Sequence, residues 1–449
     1  MDWILTNMEF EDILLYMTNS IKQILTLAKE YKSIDSLARD FRSNLFLTNT
    51  YLNMKKIQLS LLALLMSVSS VSFAQEVIII EEESEPSKFT FSGSVDAYFR
   101  TNFNAPNKGE NALAPASSFG NLPGFSLGMA NIIATYEGQK VGAVADLVFG
   151  PRGEDAVFGS PLYAGGMAGS SQIVNQLYVY WNVSDAVTLT FGNFNTFLGY
   201  EVISPTGNFN YSTSYMFSYG PFSHTGLKAD FALSDKWSLM AAVMNPTDMT
   251  EFNLAGTYTL GAQLGYSTDA SSTYLNFVYG DQDGKLDVDN GGLVPGQTSL
   301  GSTFQVDLTT GFDLTESLYL GINTTYNTTS AGEMYSGTSV SDSDGDGAGF
   351  YGFAGYLQAS TSENFALGLR GEYFNVFNGG LDGVVGLDGN GDGNVFAVTL
   401  SGNAKIGNNL TLIPELRLDS MSEENLFYDS NLAPSKSLAS FLLAAVFAF

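Results

Sequence analysis

From residue 89 onward, apolar and polar side chains alternate with period two in stretches of about ten residues. In the first stretch Phe89, Phe91, Val95, Ala97 and Phe99 fall on one side, and Thr90, Ser92, Ser94, Asp96, Tyr98 and Arg100 on the other. Leu227, Ala229, Phe231 and Leu233 alternate with Lys228 and Asp230, and Phe365, Leu367, Leu369 and Tyr373 with Arg370 and Glu372. Leu410, Leu412, Leu416 and Leu418 alternate with Thr411, Glu415, Arg417 and Asp419. Successive side chains of a strand point to opposite faces, so each stretch predicts a strand with one apolar and one polar face. About ten residues is also the length of a tilted strand that crosses a bilayer. In water the apolar faces would need a second sheet to cover them. In a membrane they face lipid, and the polar faces enclose a wet interior.

The pattern predicts sixteen strands: 89–103, 127–137, 140–150, 172–182, 186–194, 224–234, 236–246, 257–267, 270–280, 302–313, 316–327, 350–360, 363–374, 394–406, 408–419 and 437–449. Short polar turns such as Glu137-Gly138-Gln139, Ser234-Asp235-Lys236 and Gly407-Asn408 alternate with much longer connections. An even strand count with alternating short and long connections predicts an all-β fold. The expected architecture is a transmembrane antiparallel β-barrel of about 16 strands, with short periplasmic turns and long external loops. The last segment, SLASFLLAAVFAF, puts Phe441, Leu443, Ala445, Phe447 and Phe449 on one face. Left as an open edge it would aggregate, and closure onto the first strand removes that edge. It is similar to the terminal strand that the outer-membrane assembly machinery recognises.

Composition narrows the chemistry. Charged residues are only 14% of the chain, against roughly a quarter in a soluble domain, while aromatic residues reach 13%. With no Cys and one His, the chain has no disulfide, no thiol nucleophile and no Cys/His zinc site. Its 46 acidic against 19 basic groups, a net charge of −27, exclude nucleic acid as a partner by long-range repulsion. Residues 54–74 predict a secretory signal peptide: Lys55 and Lys56, then an apolar core from Ile57 to Met66, then Ser72-Phe73-Ala74 before Gln75. Met54 is the expected start, residues 1–53 an extension absent from the secreted protein, residues 75–88 a short acidic periplasmic segment, and 89–449 the barrel.

Strand parity assigns Asp96, Arg100, Asp146, Lys228, Asp230, Asp307, Arg370, Glu372, Lys405, Glu415, Arg417 and Asp419 to the lumen. By the same parity, arginine at lipid-facing Leu369 should be costly and arginine at the neighbouring Gly368 should not. The third long connection, too aromatic to extend into water, is expected to fold inward as a constriction carrying Gly199, Tyr200, Glu201, Tyr211, Tyr215 and His224. Packing on neighbouring external loops is the alternative. If the loop folds inward, Glu201 would put a negative charge at the narrowest point, and the lone His224 suits a structural hydrogen bond better than a base. Asp342, Asp344 and Asp346, and likewise Asp388, Asn390 and Asp392, have the spacing of the first half of a calcium loop. The second half fails, with Phe353 and Thr399 where a Glu is needed, so Ca2+ at these loops competes with plain turns.

Within residues 191–226, Gly192-Asn193-Phe194 leads to Gly199-Tyr200-Glu201, then Asn210-Tyr211-Ser212, Ser214-Tyr215, and a return through Gly220-Pro221 to His224-Thr225-Gly226. This resembles the OmpL-like β-barrel porin family; the rest of 89–449 fits in pattern and length. The resemblance implies a Gram-negative outer-membrane porin, a water-filled channel for passive diffusion of small polar solutes or ions, with no catalytic residues to carry over. Outer-membrane lipid, the assembly machinery and small polar solutes are the expected partners, and a homo-oligomer is compatible. The acidic loops make weak cation preference the expected selectivity. A structural or adhesive barrel with a plugged lumen is the rival reading. An outer-membrane hydrolase would need His224 as its base, with no Ser motif beside it.

Overall fold

The structure is a computed structural model that describes residues 88–449, apart from 120–121, 158–169, 254, 283–301, 331–333, 336–337, 340–346 and 382. The expected signal peptide, the extension before it, and Asp342, Asp344 and Asp346 lie outside the described residues.

Sixteen antiparallel strands form one closed barrel. They are β1 (Lys88–Asn102), β2 (Gly124–Glu137), β3 (Val141–Phe149), β4 (Val174–Ser184), β5 (Val187–Asn195), β6 (Ser223–Ala232), β7 (Trp237–Met244) and β8 (Thr259–Thr268). The second half comprises β9 (Ser271–Gly280), β10 (Thr303–Thr315), β11 (Leu318–Thr329), β12 (Ala348–Ser362), β13 (Phe365–Phe377), β14 (Gly393–Ile406), β15 (Leu410–Met421) and β16 (Ser437–Ala448). Every predicted strand is present, and no end moves by more than three residues. Two short helices lie in external loops, α1 (Pro151–Ala156) and α2 (Tyr215–Tyr219).

Closure follows the expected route. β16 pairs with β1 in a register that sets Asp96 opposite Val446, and the terminal Phe449 exchanges backbone hydrogen bonds of 3.0 Å with Gly93 in both directions. The apolar terminal strand is thereby left without a free edge.

Burial is inverted relative to a soluble protein. Phe91 and Leu369 are 65% and 44% exposed on the outer face, while Arg370 and Asp419 are 0% exposed on the inner one. Only a lipid surround makes that arrangement favourable, because the outer residues would otherwise face water.

A register shift between Val95 and Ala97 leaves β2 with unpaired backbone opposite Asp96. The Met129 amide there donates to Asp96 Oδ1 at 3.0 Å instead. Opposite the same carboxylate stands Gly128, where a Cβ would fall on the Asp96 oxygens. The bulge thus fixes Asp96 facing inward, ready to accept a second bond.

Candidate functional site

The third external loop, residues 196–222 between β5 and β6, enters the barrel. Irregular backbone inside a wall has no ladder to bond to, and every buried N–H and C=O needs a partner. The inward-facing charges of the wall supply them. Tyr211 N and Ser212 N donate to Glu415 Oε2 at 3.0 and 3.3 Å. Tyr215 N and Met216 N, at the start of α2, donate to the two oxygens of Glu372, each at 2.9 Å. Ser214 caps the same helix through Oγ, which accepts from Phe217 N at 3.1 Å. Carbonyls are met by guanidinium groups: Arg370 Nη1 donates to Ser212 O at 2.6 Å and Arg417 Nη1 to Thr213 O at 2.9 Å. Arg152, on α1 of the second external loop, donates to Ile203 O at 2.9 Å and to Tyr211 O at 3.0 Å.

Register explains why these groups converge. Arg370, Thr399 and Arg417 are direct cross-strand partners on β13, β14 and β15, and one step toward the exterior Glu372, Ala397 and Asp419 repeat the alignment. Two buried ion pairs complete the belt. Arg370 meets Glu201 of the loop at 2.5 Å, and Arg417 meets Asp419 at 2.8 Å. At the far side of the loop Tyr211 Oη donates to Asp96 Oδ2 at 2.5 Å, and Gly199 N donates to Asp307 Oδ1 at 2.9 Å.

Small wall residues make room for the loop. Tyr200 stacks on Tyr356 with ring centroids 4.1 Å apart, and a Cβ on Gly321 would come within 2.6 Å of the Tyr200 ring. A Cβ on Gly368 would lie 2.2 Å from Phe209. Gly368 is therefore no empty inner position, contrary to the parity expectation for an arginine there.

The loop leaves one side of the lumen wet. Beneath Phe194 and Phe197 a recess of about 450 Å³ runs along β4, β5 and β6, lined by Gln176, Tyr178, Tyr180, Thr188, Thr190, Asn195, Lys228 and Asp230. Lys228 and Asp230 form an ion pair of 2.9 Å within it and keep partial exposure.

A family model described as "Putative beta-barrel porin-2, OmpL-like" matches residues 88–449. The chain belongs to this OmpL-like porin family. It is an outer-membrane barrel of the Gram-negative type and a member of a channel family. Among solved structures it is similar to the anion-selective porin from Comamonas acidovorans, at 9% identity and TM-score 0.50, covering 81% of this chain and 100% of that one. It is also similar to the outer membrane channel DcaP of Acinetobacter baumannii, at 12% identity and TM-score 0.50, covering 81% of this chain and 97% of that one. At such identities the likeness is one of fold. No curated protein sequence matches the chain.

In this OmpL-like porin the inward-facing charges divide into two groups. Asp96, Arg100, Asp146, Asp307, Arg370, Glu372, Glu415, Arg417 and Asp419 face inward and are buried, the greater part of them against loop backbone. Asp146 is enclosed by the amides of Asn131, Asn175 and Gln176. Arg100 Nη1 donates to Leu113 O of the first external loop at 2.9 Å. Lys228, Asp230 and Lys405 remain in reach of water, Lys405 near the periplasmic end of β14. Glu201 presents no free charge at a narrow point, because Arg370 neutralises it.

His224 is fully buried, with Nε2 3.0 Å from Thr196 Oγ1 and its ring 5.1 Å from that of Phe197. Among the described residues its Nδ1 meets no hydrogen-bond partner, and Nε2 pairs with the Thr196 hydroxyl, the structural kind of bond expected of it. The Asp388 loop, a calcium-loop candidate by its spacing, is bonded as a turn. Asp388 Oδ1 accepts from Asn390 N at 2.8 Å and Asp392 N at 3.0 Å, and these backbone donors hold its carboxyl below the usual range. Its oxygens close a turn, and among the described residues no three His, Asp or Glu side chains converge on a metal position. Arg152 and Thr213, both central to the loop's anchoring, carried no sequence signal, since a single Arg after Gly150-Pro151 and a Thr in a Ser/Thr-rich run are locally unremarkable.

Proposed function

We propose that this porin passes small polar solutes by diffusion along the β4–β6 side of its lumen, with the third external loop filling the opposite side. The recess carries the reading: its wall mixes aromatic rings with hydroxyls, amides and a partly exposed ion pair, whereas the inward charges Arg370, Glu372, Glu415, Arg417 and Asp419 of β13–β15 are buried beneath the loop.

Selectivity in this reading arises at the external mouth. Lys228 and Asp230 cancel along the path, and Glu201 and Asp419 are paired with arginines. The external loops hold many more carboxylates than basic groups, and their field enriches cations within a Debye length of about 8 Å at physiological salt. The fold shared with an anion-selective porin carries no charge preference, because selectivity belongs to side chains rather than to the barrel. Planar-bilayer recording tests both parts. Discrete KCl conductance steps are expected, with a reversal potential showing cation preference in dilute salt that fades as salt rises. Anion preference would overturn the selectivity reading.

The buried anchoring of the loop favours a second reading, a barrel closed at rest. It predicts no steps in the wild type and clear steps once an anchor such as Arg370 is replaced.

A further inference from the structure

We propose that the β4–β6 recess is a binding subsite for a neutral polyhydroxylated solute of mono- or disaccharide size. The inference rests on the diffusion-channel reading for its route, and on the recess alone for its chemistry.

Strand register arranges the lining in rows. Tyr180 pairs with Thr190 and Thr190 with Lys228; one step toward the periplasm, Asn182 pairs with Thr188 and Thr188 with Asp230. Each row therefore sets a ring or amide, a hydroxyl and a charged group side by side across three strands. Tyr178 and Tyr180 share a face of β4, about 7 Å apart along the strand, a spacing that successive sugar rings can follow. A Cβ on Gly142 would lie 2.2 Å from the Tyr180 ring, so that ring is backed by the wall on one side and borders the recess on the other. Phe194 and Phe197 roof the space. The volume, about 450 Å³, lies within the roughly 300–1,000 Å³ of small-molecule sites.

Charge decides the class of ligand. Lys228 and Asp230 are two residues apart on one face and paired at 2.9 Å, so together they offer donors and acceptors without net charge. A charged solute entering here would lose hydration and find no free counter-charge, and a zwitterion would have to split the pair. An apolar solute would cover the threonine hydroxyls and the ion pair with nothing to bond them. A polyol satisfies both kinds of lining: its C–H faces lie on the rings and its hydroxyls bond Thr190, Lys228 and Asp230.

The test uses the folded barrel in a polyoxyethylene detergent, which carries no sugar headgroup. Isothermal titration with maltose is run alongside planar-bilayer current block by maltose, glycine and gluconate at equal osmolality. Saturable heat and dose-dependent block by maltose alone are expected. Tyr180→Ala should weaken both by about fivefold, the scale of one aromatic contact, and Tyr180→Phe should largely restore them. Asp230→Asn, which frees Lys228, should let gluconate block. Absence of saturable heat with maltose, equal block by all three solutes, or full maltose binding by a folded Tyr180→Ala variant overturns the proposal. Should the barrel conduct no KCl, the channel reading falls, and titration heat still decides the subsite. Heat-modifiable gel mobility verifies that each variant is folded.

Discussion

Arg370 and Glu201 join the barrel wall to the loop inside it, Nη1 to Oε1 at 2.5 Å, with both side chains out of contact with water. The same guanidinium also donates to Ser212 O and Thr213 O. Breaking one partner of a buried pair costs about 3–5 kcal/mol, because the remaining charge is stranded. Arg370→Met should therefore lower the urea midpoint of the barrel in vesicles and raise its single-channel conductance as the loop loosens. The double change to Arg370→Gln and Glu201→Gln, which strands no charge, should lower the midpoint less. Wild-type conductance and midpoint in a folded Arg370→Met barrel would disprove the anchoring role.

Glu372 receives the first two amides of α2, a helix too short to hold itself. Glu372→Gln keeps the shape but turns an NH2 toward a donor. Leaving one buried N–H unmet costs about 1–3 kcal/mol. The check is the same urea midpoint, and an unchanged value would mean that α2 is held by packing alone.

Leu369 faces lipid, so Leu369→Arg near mid-bilayer should cost about 2–4 kcal/mol. Thr188→Arg in the wet recess should cost little. Gly368→Ala, on the inner face, should not be silent, since its Cβ would displace Phe209. Folding yields into vesicles rank the three variants, and equal tolerance of Leu369→Arg and Thr188→Arg would refute the outward assignment.

Asp248 of the fourth external loop accepts from Phe222 N at 2.8 Å and Ser223 N at 2.9 Å, where the third loop rejoins the wall. Burial pushes its carboxyl up to about 6, against the lowering effect of those two bonds. A carboxyl raised on folding contributes stability that is full below its unfolded pKa near 3.8 and is lost as pH rises through about 6. The wild type should thus lose part of its stability between pH 4 and 7, relative to Asp248→Asn. Parallel pH curves for the two proteins would show that Asp248 does not titrate in this way.

Cleavage after Ala74 is expected during export, so protein recovered from the outer membrane should begin at Gln75. Mass spectrometry of the intact chain decides it, and a mature form retaining any of residues 1–53 would contradict the assigned start.

What the sequence determined by itself was local. L-residues in extended backbone send alternate side chains to opposite faces, so parity alone put Leu369 outward and Arg370 inward, and the turns between strands needed only their own few residues. The need of an aromatic-rich third loop to bury Tyr200, Phe209 and Tyr215 was legible too, but whether the barrel interior or the neighbouring external loops would cover them was decided by the tertiary structure. What parity could not tell was whether an inward charge meets water. Lys228 with Asp230 and Arg370 with Glu372 follow the same alternation, yet the first pair borders an open recess and the second holds loop backbone. That difference is set by segments more than a hundred residues apart in the chain. A loop driven inside by its aromatics must find donors and acceptors for its irregular backbone there, and the charged side chains of β13–β15, with Arg152, Asp307, Asn403 and Gln263, stand where those amides and carbonyls arrive.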